Sequence, residues 1–218
     1  DIEDAIRLEK DGENYILGVH IAKDSNYVKE NSAVGDAAYE RGTSSYLADT
    51  VIPMIPHKLS NGICSLNEGV IRLSMSCVMK YNTEGKLLDY DIFPSYIKSS
   101  KKMTYKNVNK IIMENTVPTG YEPFADTLKE MHKLAKILRK MKEKRGYIDF
   151  DLDEVKIIQD EKGHAIDVQK RVRGEGEKLI EDFMIAANEC VASHIYNMGL
   201  PFIYRVHENP KPEKIEDF

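Results

Sequence analysis

Residues 14–22, Asn-Tyr-Ile-Leu-Gly-Val-His-Ile-Ala, are apolar at nearly every position. A strand of that kind has to be covered on both faces, so the segment predicts the centre of a sheet. A cleaner alternation follows at Ile71, Leu73, Met75, Cys77 and Met79 against Arg72, Ser74, Ser76 and Lys80, and Asn82-Thr83-Glu84-Gly85 then turns the chain into residues 86–97. This pattern predicts a long hairpin whose serine face is the wetter one. A second hairpin is predicted from Val155-Lys156-Ile157-Ile158, the turn Asp160-Glu161-Lys162-Gly163, and residues 165–168.

Helical periodicity occupies three other stretches. Thr104 can cap a helix carrying Tyr105, Val108, Ile111 and Ile112, and Leu128, Met131, Leu134, Ala135, Leu138 and Met141 form a stripe that Gly146 ends. A third helix, residues 178–197, places Ile180, Phe183, Met184, Ala187, Val191 and Ile195 on its main stripe, with Glu181 and Asn188 together on the flank. Polar groups flanked by apolar ones suit either an interior-facing site or a helix edge. No linker divides the chain, so the expectation is one α+β domain, a mixed, largely antiparallel sheet packed with helices over residues 1–218.

No run approaches the roughly 18 apolar residues that span a bilayer, and membrane association is not expected. Cys64, Cys77 and Cys190 are far apart and odd in number, which predicts small core residues in a reducing compartment, the cytoplasm. The chain starts without Met and ends one turn into an apparent helix, so a segment cut from a longer protein at both ends is expected. A net charge of −5 argues against a surface built to grip duplex DNA. Two basic tracts run against that balance: five lysines and no acid from Lys98 to Lys110, and eight Lys/Arg against two Glu from Lys129 to Arg145. Either could attract a polyanion locally, and the second equally suits a solvated helix face.

The chemistry-bearing candidates are few. Asp1-Ile2-Glu3-Asp4 puts three carboxylates into one short turn of chain. Like charges a few ångströms apart repel by roughly 1 kcal/mol in water and by several at an effective dielectric near 20, so a cation such as Mg²⁺ would relieve the cluster, while three acids at a chain terminus also suit plain solvated surface. The six histidines have no zinc spacing, and no Gly-x-Ser-x-Gly elbow is present. Gly174-Glu175-Gly176-Glu177-Lys178 superficially suggests a phosphate-cradling loop but lacks the length and the Ser/Thr of a Walker segment.

Several blocks together carry more than any short motif. They are Asp1 to Ala5, Gly18-Val19-His20-Ile21-Ala22, Arg41 to Asp49, Val51 to Pro56, Leu59 to Asn67, Met103-Thr104-Tyr105, Asp149-Phe150-Asp151, Glu177 to Glu189 and Pro201 to Arg205. In order and over the whole chain, they resemble the RNB catalytic domain of bacterial ribonucleases R and II. The resemblance implies a processive 3′-to-5′ exoribonuclease that uses Mg²⁺ to hydrolyse single-stranded RNA to nucleoside 5′-monophosphates. It also implies a monomeric full-length protein and no action on DNA. Asp1, Glu3 and Asp4 would be the catalytic acids, with Asp1 and Asp4 holding metal. Tyr46 and Phe150 would stack terminal bases, Tyr105 would lie near the reacting phosphate, and Lys102, Glu181 and Asn188 would face RNA. Cold-shock domains upstream, and an Arg-bearing catalytic loop and S1 domain downstream, belong to that pattern and are not in this sequence.

Departures from the pattern accompany it. Glu3 stands where Asp is usual, which moves a carboxylate by roughly one C–C bond, and octahedral Mg²⁺ tolerates such displacement poorly. Lys23-Asp24 replaces Asp-Val, Thr50 and Ile71 replace Arg and Asp, and Lys102 replaces an Arg with its planar fork. These changes motivate the alternative of a non-catalytic RNB-like module that binds RNA or a partner.

Overall fold

The computed structural model describes residues 2–47, 50–149, 154–160, 163–206 and 213, the side chains of 154, 156 and 171 apart. Strand β1 (Asp4–Asp11) turns through Gly12, whose φ of 61° needs glycine, into β2 (Asn14–Ala22). After β2 come helix α1 (Ala33–Arg41), the two-residue strands β3 (Ser45–Tyr46) and β4 (Val51–Ile52), and one wide helical turn at Lys58–Ile63. The long hairpin β5 (Ile71–Tyr81) and β6 (Leu87–Lys98) then completes a four-stranded antiparallel sheet of order β1-β2-β5-β6. Helices α2 (Tyr105–Glu114) and α3 (Ala125–Lys144), the separate hairpin β7 (Glu154–Gln159) with β8 (Ala165–Arg171), and α4 (Glu175–Met198) follow. This is the expected α+β architecture, with an antiparallel sheet and helices packed on it.

Segment 14–22 lies inside the sheet as predicted, because β1 and β5 take both its edges. Tyr15, Leu17 and Val19 face the helices, where Met79, Ile111, Leu134, Leu179 and Phe183 close the core at 2% exposure or less. Removing each such side chain from water contributes about 1.5–3 kcal/mol. Thr104 caps α2 by accepting from Asn107 N, as expected. The hairpin tip at Gly85 (φ 83°) abuts α3, since a Cβ there would sit 2.8 Å from Ile137 Cγ2.

Two local expectations invert. Ser74 and Ser76, assigned to a wetter face, are buried at 0% and 1%, while Ile71 and Met75 are 66% and 39% exposed. The serines tolerate burial because their hydroxyls are satisfied: Ser74 and Ser76 bond Ser95 Oγ at 2.7 and 2.5 Å, and His20 Nδ1 lies 2.6 Å from Ser76 Oγ. The apolar stripe of β5 meets helices only toward its Cys77–Tyr81 end, which leaves its beginning open. On α4 the buried face is Leu179, Asp182, Phe183, Ala187 and Cys190, rotated from the predicted stripe, because the helix packs against both α2 and α3. The strand character of β1, with Ile6 and Leu8 alternating against Arg7 and Glu9, was not predicted. Among the described residues no helix is long and apolar enough to cross a membrane. All three cysteines are free and buried.

Candidate functional site

The acidic segment enters the sheet directly and does not form a turn. Glu3 O accepts from Ala22 N at 2.8 Å, extending the β1–β2 ladder, and Asp4 is the first residue of β1, opposite Ile21. In an extended chain adjacent side chains point to opposite faces, so Glu3 and Asp4 diverge. A second brace comes from the loop after the wide helical turn. Ile2 N donates to Ser65 Oγ at 2.9 Å, Leu66 N donates to Ile2 O at 2.8 Å, and Arg72 clamps the loop through Ser65 O and Gly62 O.

On the Glu3 side lies a cleft of about 200 Å³ whose polar lining includes Glu3, Asp24, Ser44, Tyr46, His57 and Asn61. Its far wall is the β3–β4 arm, held by Met54 N donating to Ser44 Oγ and by Arg41 Nη1 donating to Met54 O. Tyr46 is 75% exposed on this wall and is therefore not a core aromatic. Asp24 follows the end of β2, and its Oδ1 is buried with no hydrogen-bond partner among the described residues. Such an oxygen is costly unless a cation approaches it. The Cys64 thiol faces the same carboxylate: burial first, then its hydrogen bond to Asp24 and the Asp24 charge, push it up to about 12 against the opposing pull of Arg72. Burial likewise raises the Asp4 carboxyl above its ordinary value. A larger depression of about 350 Å³ at the end of α4 is lined by Ala192, Ser193, Tyr196, Asn197 and Tyr204, with no acid or histidine to do chemistry.

The remaining sequence-predicted site residues lie elsewhere. Lys102 is exposed before α2, its backbone N–H donating to Glu68 Oε2, and Tyr105 opens α2 at 43% exposure. Asn188 is exposed on α4. Glu181 is held by Arg173 and by Tyr147 Oη at 3.3 Å, and Arg173 also reaches Asp149 Oδ1 at 3.0 Å. None of these four nor Asp4 lines the Glu3 cleft, and Asp1 and Phe150 lie outside the described residues. Among the described residues no three His, Cys, Asp or Glu side chains converge as a metal cage. Asp24 escaped the sequence reading because Lys23-Asp24 registered as an intruding cation. The available signal was an acid just past the end of a fully apolar strand.

The two basic tracts differ in how many of their cations meet acids, although Lys136, Lys140 and Lys144 on the outer side of α3 make no ion pair among the described residues. On α3, His132 meets Glu175 at 3.0 Å, Arg139 meets Glu175 and Asp182, Lys142 meets Asp182 at 2.9 Å, and Arg145 forks onto Glu189. Acids at 175, 182 and 189, seven residues apart on α4, thus neutralise this face of α3 along the helix contact. Asp182 Oδ2 accepts from Arg139 Nε at 2.9 Å, while Arg139 Nη2, equally close, is misaligned and contributes only Coulomb attraction. Gly174 and Gly176 do not cradle phosphate, since Asn109 Oδ1 accepts from Gly176 N at 2.7 Å and Glu177 from Gly174 N at 3.1 Å. The lysines of residues 98–110 have no such acidic counterpart. Among them, only Lys101 approaches an acid, Glu68 at 3.9 Å, among the described residues.

A family model described as the RNB domain matches residues 1–218. Ribonuclease R of Thermotoga maritima is 54% identical over 217 residues, which cover 99% of this chain and 31% of that protein. Ribonuclease R 1 of Lactococcus lactis is 49% identical over 220 residues, covering 100% and 27%. The solved structure of Mycoplasma genitalium RNase R in complex with ribose methylated single-stranded RNA superposes with a TM-score of 0.93 at 31% identity, covering 99% of this chain and 34% of that one. The chain therefore spans about a third of the length of the relatives it matches.

Proposed function

The chain belongs to the RNB domain family, and from that premise we propose that it supplies the catalytic core of a processive, Mg²⁺-dependent 3′-to-5′ exoribonuclease acting on single-stranded RNA. The observation that carries the reading is the cleft in which Glu3 and Asp24, the latter with an unsatisfied buried oxygen, face the exposed ring of Tyr46. The similarity to Ribonuclease R proteins, one of them solved with RNA, supports it.

Carboxylate oxygen suits a hard cation, and a cation at Asp4 would offset the desolvation that raises its carboxyl, as one in the cleft would at Asp24 Oδ1. The donor set fits Mg²⁺ to that extent. We assign the ion to Asp1 and Asp4, with Glu3 helping to arrange metal or water from the cleft side of the strand. When bound, Mg²⁺ polarises a phosphoryl group and lowers the pKa of an attached water. The residues of the chain do the rest. Tyr46 offers a face on which any base can stack, worth about 1–3 kcal/mol per base without regard to sequence. Phe150 serves a second base, Tyr105 and Lys102 lie toward the phosphate, and Glu181 and Asn188 present polar groups from α4.

The test uses the full-length protein and single-stranded RNA labelled at its 5′ end, with Mg²⁺ or with EDTA. Stepwise shortening from the 3′ end that requires metal is expected, and Asp4→Asn should abolish it while RNA affinity stays within about threefold. Unchanged cleavage by Asp4→Asn overturns the metal assignment. Binding without shortening by the unaltered protein makes it a non-catalytic module, and equal cutting of DNA overturns the assignment of RNA as its substrate.

A further inference from the structure

The acids of α4 neutralise only the inward side of α3, whose outward Lys136, Lys140 and Lys144 make no ion pair among the described residues. A second unpaired basic surface crosses α2 beside the loop that braces the amino-terminal acids. Lys98, Lys102, Lys106 and Lys110 make no ion pair and no side-chain hydrogen bond among the described residues. Lys98, Lys102 and Lys106 are exposed and Lys110 is partly so. On α2, Val108 and Ile111 are buried against α3 and α4, so Lys106 and Lys110 fall on the opposite, solvent side, one turn or roughly 6 Å apart along the axis. Uncompensated like charges at that spacing repel one another, a cost that a chain of anions would reverse.

The position of this surface is fixed by the loop that also braces the amino-terminal acids. Leu66 N bonds Ile2 O, Gly69 N bonds Ser99 O at 2.8 Å, and Lys102 N bonds Glu68 Oε2 at 2.8 Å, so one short stretch, residues 65–69, joins Ile2–Glu3 to the start of the lysine series. We infer that Lys98, Lys102, Lys106 and Lys110 form a phosphate-tracking ridge that leads single-stranded RNA over α2 toward the acidic segment. The inference rests on RNA being the substrate, and it assigns the electrostatic part of RNA affinity to α2 and its approach while excluding the α3 tract.

Counterion release makes this measurable, because each lysine that neutralises a phosphate of a single strand contributes about −0.7 to the slope of log K against log salt. Full-length protein in EDTA is titrated with oligo(U) over a range of KCl concentrations. Lys106→Gln with Lys110→Gln should make the slope shallower by about 1.4, while Lys106→Arg with Lys110→Arg should keep it. Lys136→Gln with Lys140→Gln, which removes the same charge from the unpaired outer side of α3, should leave it unchanged. A slope unmoved by the α2 double variant overturns the ridge, and equal shifts from both pairs reduce it to bulk charge and overturn it as well. These outcomes are separate from failure of the nuclease reading, in which the unaltered protein neither shortens RNA nor requires metal.

Discussion

Asp182 is 3% exposed and is the shared acceptor of Arg139 and Lys142, themselves largely buried, so Asp182→Asn is the sharpest test of how the helical layer is held. The amide keeps the shape and one acceptor oxygen but removes the charge that two buried cations face. Breaking a buried pair from one side costs about 3–5 kcal/mol, because the remaining charge is left desolvated. The geometry places this case near the lower end. Arg139 keeps Glu175 at 3.1 Å, and Lys142 keeps the Tyr147 ring at 4.0 Å and Glu181 at 3.9 Å. With about 3 kcal/mol lost and a urea slope of roughly 2–3 kcal/mol per molar, the unfolding midpoint should fall by about 1–1.5 M with the slope unchanged. The loss should persist at high salt, since buried pairs are screened little. Arg145→Gln, whose partner Glu189 is half exposed, should cost at most about 1 kcal/mol and fade with salt. Replacing the trio together, Arg139→Met, Lys142→Met and Asp182→Leu, should recover most of the loss or exceed it, as removal of whole buried ion clusters does. A midpoint shift below about 0.2 M for Asp182→Asn would show that the cluster is hydrated and refute the reasoning.

Glu175 links the same layer to pH. Burial alone would raise its carboxyl, but hydrogen bonds and charge from His132 and Arg139 bring it below its ordinary value of 4.5. A folded value below the unfolded one means that its contribution is full above about pH 4.5 and is lost as pH falls through the depressed value. Asp149, held down first by its bond from Lys178, acts in the same sense, and Asp4, raised by burial, acts in the opposite one. Midpoints measured from pH 5 to about 3 should therefore drop, and Glu175→Gln should flatten that limb; an unchanged limb would refute the coupling. The thiols give an independent check of the core. With Cys64 and Cys77 pushed up to about 12 and Cys190 also raised, none should react with a disulfide reagent at pH 8 until guanidinium is added. Rapid reaction of any one in the folded protein would place it at the surface.

Much of the fold was legible because its determinants are local. The two-sided apolar run of β2, the turn chemistry at Asn82–Gly85 and the Thr104 cap each act within a few residues, and each stands where it was predicted. What was not legible is decided by partners far along the chain. Ser74 and Ser76 read as solvent-facing because a hydroxyl is polar, yet Ser95, some twenty residues on, and His20, far upstream, supply the bonds that let them be buried. The buried role of Asp182 was not legible, because nothing within four residues hints that Arg139 and Lys142 will meet it across the helix contact.

The site divides in the same way between residue types visible in the sequence and placements that only the fold adds. The acids at residues 1–4 and the ring of Tyr46 are visible as residue types, but an extended backbone sends Glu3 and Asp4 to opposite faces and brings Asp24 in from the end of β2 to join Glu3. A substitution that looks like damage, Lys23-Asp24 for Asp-Val, therefore supplies a carboxylate to the cleft one position late. Charge is where local reading fails most. The tract from Lys129 to Arg145 is richer in Lys and Arg than residues 98–110, yet it spends His132, Arg139, Lys142 and Arg145 on α4 and Lys133 on Glu130, which leaves Lys136, Lys140 and Lys144 to solvent. Four of the five lysines of residues 98–110, by contrast, make no ion pair among the described residues. Counting cations along a chain measures what is available, and only subtraction of the acids that face them across a helix contact measures what is left to attract a polyanion.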